Sequence, residues 1–169
     1  MKIGGYTGLM NKTRFTGQFH KTWLEYKNGF GNLTQYYWIG LENIRSLVTQ
    51  QKMHLYLEMY NTTDTRYNIT FGVFSIDDES NRYMLRLSTK LYGNLNPSAI
   101  IPYHNGTYFS TYDNDLNRCA SGYLGGFWFK SCFYLCLTCE EPSHGQYFLN
   151  GIGYTKHAFV KMAIIPSQK

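Results

Sequence analysis

The four cysteines of this 169-residue chain have the spacing that most directly suggests chemistry. They lie close together in the second half of the chain, at Cys119, Cys132, Cys136 and Cys139. Only Cys136 and Cys139 have the spacing of a zinc-ligand pair, and no second such pair or histidine stands at the matching offset. Nothing helical is predicted after this pair, as a thioredoxin-like site would require. A disulfide framework is therefore the best interpretation, and spacing alone leaves its connectivity open.

The histidines give no indication of catalysis. There are five, at positions 20, 54, 104, 144 and 157, and none lies in a recognised catalytic motif. No glycine-rich phosphate loop follows a predicted strand, and no set of nucleophile, base and orienting residue is evident. The sequence therefore predicts that the protein is not an enzyme.

Asparagine sequons carry a signal about the compartment. Composition alone predicts roughly two Asn-x-Ser/Thr triplets, whereas five occur, and a sixth asparagine, Asn96, is disqualified by Pro97. The five acceptors are Asn11, Asn32, Asn61, Asn68 and Asn105. A protein rich in Asn and Thr also generates sequons by chance, but the excess favours a secreted, extracellular glycoprotein modified at these positions.

Charge and hydropathy exclude two classes of partner. The net charge is +5, but the 16 lysines and arginines are scattered singly. They do not form the basic stripe that binds a phosphate backbone, so we expect no nucleic-acid partner. No run approaches the ~20 consecutive apolar residues of a membrane span. The first residues lack an apolar segment, so no signal peptide is visible.

Composition and periodicity place these residues in one α+β domain. Aromatic residues make up 18% of the chain, with 16 glycines, which favours strands and turns. A short helix is predicted over 22–28, where Gly29 ends it, and a second over 41–48, where apolar residues recur at helical spacing. Both helices are expected to pack on a sheet.

The predicted sheet is an antiparallel meander. Apolar residues alternate from Met53 to Tyr60 and again over 66–76, and after the polar turn at 77–81 a third strand is predicted over 83–87. Residues 98–160 show little regular periodicity and contain all the cysteines. That half is predicted to be built from loops, where binding sites usually lie.

Four motifs in these elements resemble one known family. They are Trp23-x-x-Tyr26-Lys-Asn-Gly-Phe-Gly31, Tyr37-Trp-Ile-Gly-Leu-Glu-Asn-Ile44, His104-Asn-Gly-x-x-Phe109-Ser-Thr-x-Asp113-x-Asp115 and Cys119-Ala-x-x-Tyr-x-Gly-Gly-Phe-Trp-Phe-x-x-Cys132. Their order and content closely resemble the fibrinogen C-terminal domain family, which includes fibrinogen, ficolins, tenascins, angiopoietins and tachylectin-type lectins. The resemblance implies a truncated, divergent member over 14–169, with a sheet and helix part at 14–97, a loop-rich ligand and calcium part at 98–166 and an N-terminal remnant at 1–13.

The resemblance also implies roles for single residues. Cys119 and Cys132 match the family's C-terminal disulfide. Asp113 and Asp115 match aspartates that hold a calcium ion, Ca2+, although the loop after them is shorter than usual. The walls of an acetyl-group pocket match Tyr123, Phe133 and Phe148. Cys136 and Cys139 are additional to the family pattern, and three fates stay open for them: pairing with each other, pairing with another polypeptide, or remaining free.

Three functions follow from the resemblance. The leading expectation is a secreted, non-catalytic recognition domain of lectin type that binds acetylated carbohydrate with the help of calcium. The alternative is an extracellular protein-interaction module, as in angiopoietins and tenascins, directed at a receptor or matrix protein. The third is a degenerate copy without a ligand. Phe133 stands where many members have His, and the Asn-Leu-Asn-Gly segment of the family is not recognisable. Both departures favour the protein-interaction module over the lectin.

Overall fold

The computed structural model describes residues 2–3, 5–13, 18–61, 63–132, 135–140, 147–149 and 154–167, with the backbone alone described at 2–3, 99, 147–149 and 154–158. The helices are α1 (Trp23–Asn28), α2 (Leu41–Gln50), α3 (Ile101–His104) and α4 (Cys119–Tyr123), with single 3-10 turns at Glu79–Asn81 and Pro97–Ala99. The strands are β1 (Lys2–Ile3), β2 (Tyr6–Thr13), β3 (Phe30–Asn32), β4 (Tyr36–Trp38), β5 (Met53–Asn61), β6 (Arg66–Ile76), β7 (Leu85–Leu87), β8 (Lys90–Gly93), β9 (Phe109–Ser110), β10 (Phe127–Trp128), β11 (Tyr147–Leu149) and β12 (Tyr154–Pro166).

Local signals define the two predicted helices. Thr22 caps α1 by accepting a hydrogen bond from the Glu25 backbone, while the Glu25 carboxylate accepts one from the Thr22 backbone. Gly29, at φ 97°, ends the helix in a conformation that favours glycine. The buried face of α2 consists of Leu41, Ile44 and Val48, while Leu47, the fourth apolar residue at helical spacing, is half-buried.

The main sheet is antiparallel, with the strand order β3-β4-β2-β12-β5-β6-β7, while β1 pairs with β2, β11 with β12, and β8 with β6. The predicted meander corresponds to β5, β6 and β7. The α+β class with a central antiparallel sheet and short helices is thus confirmed.

Three features of the sheet differ from what the sequence predicts. Strand β12 pairs with both β2 and β5, so the centre of the sheet is built from residues within the span interpreted as loop-rich. Strand β2 falls in the segment set apart as an N-terminal remnant. The third meander strand begins at Leu85, because Tyr83 has a left-handed backbone (φ 49°) and is fully buried instead. Strands β12 and β2 enter the sheet through pairings between residues more than 90 positions apart. The alternation of neighbouring residues cannot predict such pairings.

Aromatic rings join the sheet to the loop-built half. The ring of Trp38 lies 5.4 Å from that of Tyr26 and 5.9 Å from that of Phe109, and the Phe109 ring lies 4.9 Å from Trp128. All four residues are buried. Aromatic pairs at these separations add stabilisation beyond the burial of their area. Much of the aromatic excess therefore forms the core.

Among the helices that the structure describes, none is both long and apolar enough to cross a membrane.

Candidate binding site

The loop-built half is attached to α1 through the Tyr26 hydroxyl. This hydroxyl donates to the Phe19 carbonyl at 2.7 Å and accepts from the Gly126 backbone N–H at 2.9 Å. Tyr26 is completely buried, and burial raises the pKa of its hydroxyl far above the ordinary value. The group is therefore permanently protonated, and it supplies both a donor and an acceptor where water has no access.

Both glycines of the Gly-Gly-Phe-Trp-Phe motif are required by close packing. A Cβ added to Gly126 would lie 2.5 Å from the Tyr26 ring, and one added to Gly125 would lie 2.7 Å from the Thr138 carbonyl oxygen. The Thr138 hydroxyl in turn donates to the Gly126 carbonyl at 2.7 Å. Glycine is therefore required at both positions, because a larger residue would collide with the Thr138 backbone at Gly125 and with the Tyr26 ring at Gly126.

Two disulfides frame this region. Cys119 bonds to Cys132, with Cα atoms 5.2 Å apart, and so joins the start of α4 to the segment after β10. Cys136 bonds to Cys139, with Cα atoms 5.4 Å apart, which selects one of the three fates that spacing left open. Each bond closes a short loop and restricts its backbone.

A buried lysine supports the second disulfide loop. The Lys12 ammonium donates to the carbonyls of Thr138 and Cys139 at 3.2 and 2.7 Å and lies 5.1 Å from the centre of the Phe19 ring. Burial lowers the pKa of Lys12 to about 8, partly offset by the charge of Glu140. Strand β2 therefore fixes the Cys136–Cys139 loop against the sheet.

The two aspartates of the Asp-x-Asp motif act as hydrogen-bond acceptors within the loop. Asp113 Oδ1 accepts from the Trp23 backbone N–H at 2.9 Å and from the Thr111 hydroxyl at 2.7 Å. Asp115 Oδ2 accepts from the backbone N–H and the hydroxyl of Ser121, at 2.8 and 2.6 Å. Asp113 thereby ties the loop to α1, and Asp115 ties it to α4.

The described residues place no third carboxylate beside Asp113 and Asp115, and the calcium site stays a prediction. Calcium takes about 6–8 oxygen ligands, whereas the Arg82 guanidinium already donates to both the backbone and the side-chain oxygen of Asn114, at 3.0 and 2.6 Å. A cationic group thus occupies the oxygens between Asp113 and Asp115. Within the described ranges, no cluster of three His, Cys, Asp or Glu residues could hold a metal. The protein's own donors therefore hold this loop.

The three aromatic residues expected to line an acetyl pocket are not brought together by the described part of the structure. Tyr123 is half-buried at the end of α4 and packs against the core. Phe133 lies outside the described residues. Phe148 pairs with Thr155 through its backbone in β11, and its aromatic ring lies outside the described part. The expected pocket stays a prediction.

An open depression lies beside the Asp-x-Asp loop instead. It has a volume of about 250 Å³ and is lined by Asn105, Gly106, Thr107, Tyr108, Leu116, Asn117, Phe129 and Lys130. Tyr108 and Leu116 at its border are 42% and 56% exposed, and Tyr112 nearby in the sequence is 40% exposed. The sequence analysis did not single out Tyr108, Tyr112 or Leu116 as surface residues. The usable signal was four large apolar or aromatic residues, Phe109 included, within the otherwise polar segment 105–117.

The histidine that precedes this segment in the sequence is buried in the core. His104 Nδ1 stands 2.8 Å from the Trp128 carbonyl, which only accepts, so Nδ1 carries the proton. Its Nε2 is buried and has no partner among the described residues. Burial lowers the pKa of His104 to about 4, so the ring is neutral at physiological pH and serves as a structural donor.

A family model and two relatives show which known proteins this sequence resembles. Residues 1–165 match the family described as fibrinogen beta and gamma chains, C-terminal globular domain. The sequence is 34% identical over 148 residues to angiopoietin-related protein 1 of Homo sapiens, covering 85% of this chain and 30% of that protein. It is 33% identical over 133 residues to tenascin of Gallus gallus, covering 76% of this chain and 7% of that protein. It therefore spans less than a third of these relatives.

One solved structure shows the same architecture. The fibrinogen-like globe domain of human ANGPTL2 superposes with a TM-score of 0.88 at 29% sequence identity, covering 98% of this chain and 82% of that one.

Proposed function

Because the protein belongs to the family formed by the C-terminal globular domains of fibrinogen beta and gamma chains, we propose that it is a non-catalytic, extracellular protein-interaction module. Family membership confirms the sequence resemblance. Angiopoietin-related protein 1 and tenascin correspond to the alternative interpretation of the sequence and not to its lectin interpretation.

The observation that carries the proposal is the exposed surface over residues 108–116. Tyr108, Tyr112 and Leu116 each leave at least 40% of their surface exposed, while the backbone around them is held by Asp113 and Asp115. Tyrosine is enriched in protein interfaces, where it supplies large contact area at a low cost in conformational entropy. An open depression bordered by the exposed Tyr108 and Leu116 suits a protein partner better than a small acetyl group, which needs an enclosed slot.

Capture from conditioned medium of animal cells tests the proposal. The immobilised wild-type protein is compared with a Tyr108→Ala/Leu116→Ser variant, and with Leu33→Ser as a matched control. Leu33 is 57% exposed but lies in the β3–β4 turn. We expect specific proteins retained by the wild type and by Leu33→Ser to be lost from the double variant, with no competition by N-acetylglucosamine.

Two outcomes would contradict the proposal. Equal retention by all three proteins would show that the 108–116 surface is not the binding site. Retention abolished by N-acetylglucosamine and by Tyr123→Ala would restore the expectation of acetylated carbohydrate as the ligand.

A further inference from the structure

Two hairpin turns share one side-chain geometry. In the β3–β4 turn, Asn32 Oδ1 accepts from the backbone N–H and the hydroxyl of Thr34, at 3.1 and 2.7 Å. In the β5–β6 turn, Asn61 Oδ1 accepts from the same two groups of Thr63, at 3.0 and 2.9 Å. A third donor completes each set, the backbone N–H of Gln35 at 3.0 Å and of Thr65 at 2.8 Å.

In both turns the hydrogen bonds engage the side-chain oxygen Oδ1 of the asparagine and leave its nitrogen Nδ2 available. Asn32 Nδ2 makes a single 3.4 Å contact, to the exposed Gln35 amide oxygen. Asn61 Nδ2 has no hydrogen-bond partner among the described residues. A group attached to either nitrogen would leave all the bonds to Oδ1 in place.

The geometry points to Asn32 and Asn61 as the N-glycosylated residues of this protein, with the other sequons left unmodified. The inference rests on the extracellular location in the proposed function, since the donor is a lipid-diphosphate-linked oligosaccharide of the secretory pathway. Nδ2 forms a bond to C1 of the first sugar, and the bond from C1 to the diphosphate oxygen breaks. The diphosphate leaves with the electron pair, and Nδ2 releases one proton.

Asn11 and Asn68 occupy strands that are paired on both sides. Asn11 stands between Tyr37 of β4 and Lys161 of β12, and its Oδ1 is buried. Asn68 stands opposite Glu58, and its own backbone is bonded by Asn94 and Leu95 on the other side. A glycan on the Asn11 amide would displace the neighbours that bury its Oδ1, and the Thr70 hydroxyl of the Asn68 sequon is buried without a hydrogen bond to Asn68, so neither of these described sequons has the asparagine–threonine contact of the two turns.

Asn105 is exposed, but its sequon is folded inward. Its Oδ1 accepts from the Leu87 backbone at 2.7 Å, and the Thr107 hydroxyl is buried and donates to the His104 carbonyl at 2.7 Å. The contact between asparagine and threonine that Asn32 and Asn61 share is therefore absent at this described sequon.

A glycan at Asn32 would have a physical consequence for the sheet. Asn32 ends β3, the outermost strand of the main sheet, and the adjacent Leu33 is 57% exposed. An uncovered edge strand beside an exposed apolar residue favours edge-to-edge association. A branched polar group at this position would oppose it.

The protein contains its own control. Ser98 donates to Asn96 Oδ1 through its backbone N–H and its hydroxyl, at 3.0 and 2.8 Å, which is the geometry of the two proposed sites. Pro97 between them blocks acceptance by the transferase. Pro97→Ala converts this turn into a complete sequon in which the hydrogen-bond geometry is already present.

The test is site occupancy in the 169-residue chain secreted from animal cells behind a heterologous signal sequence. Enzymatic release of glycans in heavy-oxygen water marks each former glycosylation site for peptide mass spectrometry. We expect the mark at Asn32 and Asn61, its loss in Thr34→Val and Thr63→Val respectively, its retention in Thr34→Ser and Thr63→Ser, and a new mark at Asn96 in Pro97→Ala.

Absence of the mark from Asn32 or Asn61, or its presence at Asn11, Asn68 or Asn105 in folded secreted protein, would overturn the inference. An unmarked Asn96 in Pro97→Ala would overturn the role given to the turn geometry. Capture by the 108–116 surface is measured on glycosylated and deglycosylated protein in parallel. Lost occupancy with retained capture refutes the glycosylation alone, and lost capture with retained occupancy refutes the proposed function alone.

Discussion

The backbone N–H of Gly126 donates to the hydroxyl of Tyr26 at 2.9 Å, and a Cβ at Gly126 would lie 2.5 Å from the ring of that same tyrosine. A helix residue and a loop residue 100 positions apart thus depend on each other in two ways. The hydroxyl satisfies a buried donor, and the ring excludes any larger residue. This contact holds the segment that leads into β10 against α1.

Removing the Tyr26 hydroxyl should destabilise the fold. Tyr26→Phe keeps the ring packing but leaves the Gly126 N–H without the Tyr26 hydroxyl as its acceptor, which costs about 1–3 kcal/mol for a buried group, while the Phe19 carbonyl still accepts from the Lys21 backbone N–H at 2.9 Å. Urea unfolding at neutral pH measures the free energy of unfolding. Tyr36→Phe is the matched control, because the Tyr36 hydroxyl makes one exposed contact, 3.3 Å from Gln18. Equal stability of the two variants would refute the bridging role.

Replacing Gly126 by alanine should lower the stability of the fold more than the same replacement at Gly122. Gly126→Ala forces the Tyr26 ring to move, and overpacking of this kind costs about 1–3 kcal/mol. A Cβ at Gly122 in α4 would meet nothing within 4 Å, so Gly122→Ala should be neutral or slightly stabilising. Thermal unfolding compares the two. A destabilised Gly122→Ala beside an unaffected Gly126→Ala would contradict the described packing.

Stability should fall in mild acid because of His104. Its folded-state pKa of about 4 lies below the ordinary value of 6.5, so the folded protein favours the neutral ring. The stabilisation is complete above pH 6.5 and is lost as the pH falls from 6.5 towards 4, at up to about 1.4 kcal/mol per pH unit.

Urea unfolding between about pH 7 and pH 4 measures this loss. His104→Asn retains a side-chain N–H for the Trp128 carbonyl and removes the titrating group. We expect the stability of the variant to depend less steeply on pH than that of the wild type. Identical slopes would assign the acid sensitivity to other groups.

The loop at Asp115 should be stable without calcium. Asp115→Ala removes the acceptor for the Ser121 backbone and hydroxyl, for which about 1–2 kcal/mol is expected by analogy with helix-capping residues. The described donor set predicts that adding calcium leaves the melting temperature of the wild type unchanged. The sequence resemblance predicts the opposite, and a binding ion would raise it by mass action.

Calorimetric melting with calcium and with a chelator decides between these expectations. Asp64→Asn serves as the control, because Asp64 lies in the exposed β5–β6 turn and asparagine tolerates its left-handed backbone (φ 57°). A calcium-dependent rise in the wild type that disappears in Asp115→Ala would establish a calcium site that the described residues alone do not form.

The sequence by itself determined the local elements and the family. The cap at Thr22, the stop at Gly29 and the apolar face of α2 are short-range features, so each could be predicted from neighbouring residues. Period-two alternation likewise revealed β5 and β6. The four motifs identified the family because they record, in order, residue types that the packing requires, such as the two glycines beside Tyr26 and Thr138.

Only the tertiary structure decided what depends on distant partners. Strand β12 lies at the centre of the sheet because β2 and β5, both remote in sequence, flank it. The bond between Cys136 and Cys139, the burial of Lys12 against their loop and the engagement of Asp113 by α1 are likewise contacts that the fold selects. The type of a residue determines which donors, acceptors or apolar groups its side chain is able to bind. Which of the available donors, acceptors and neighbours it meets is set by the segments brought to it from elsewhere in the fold.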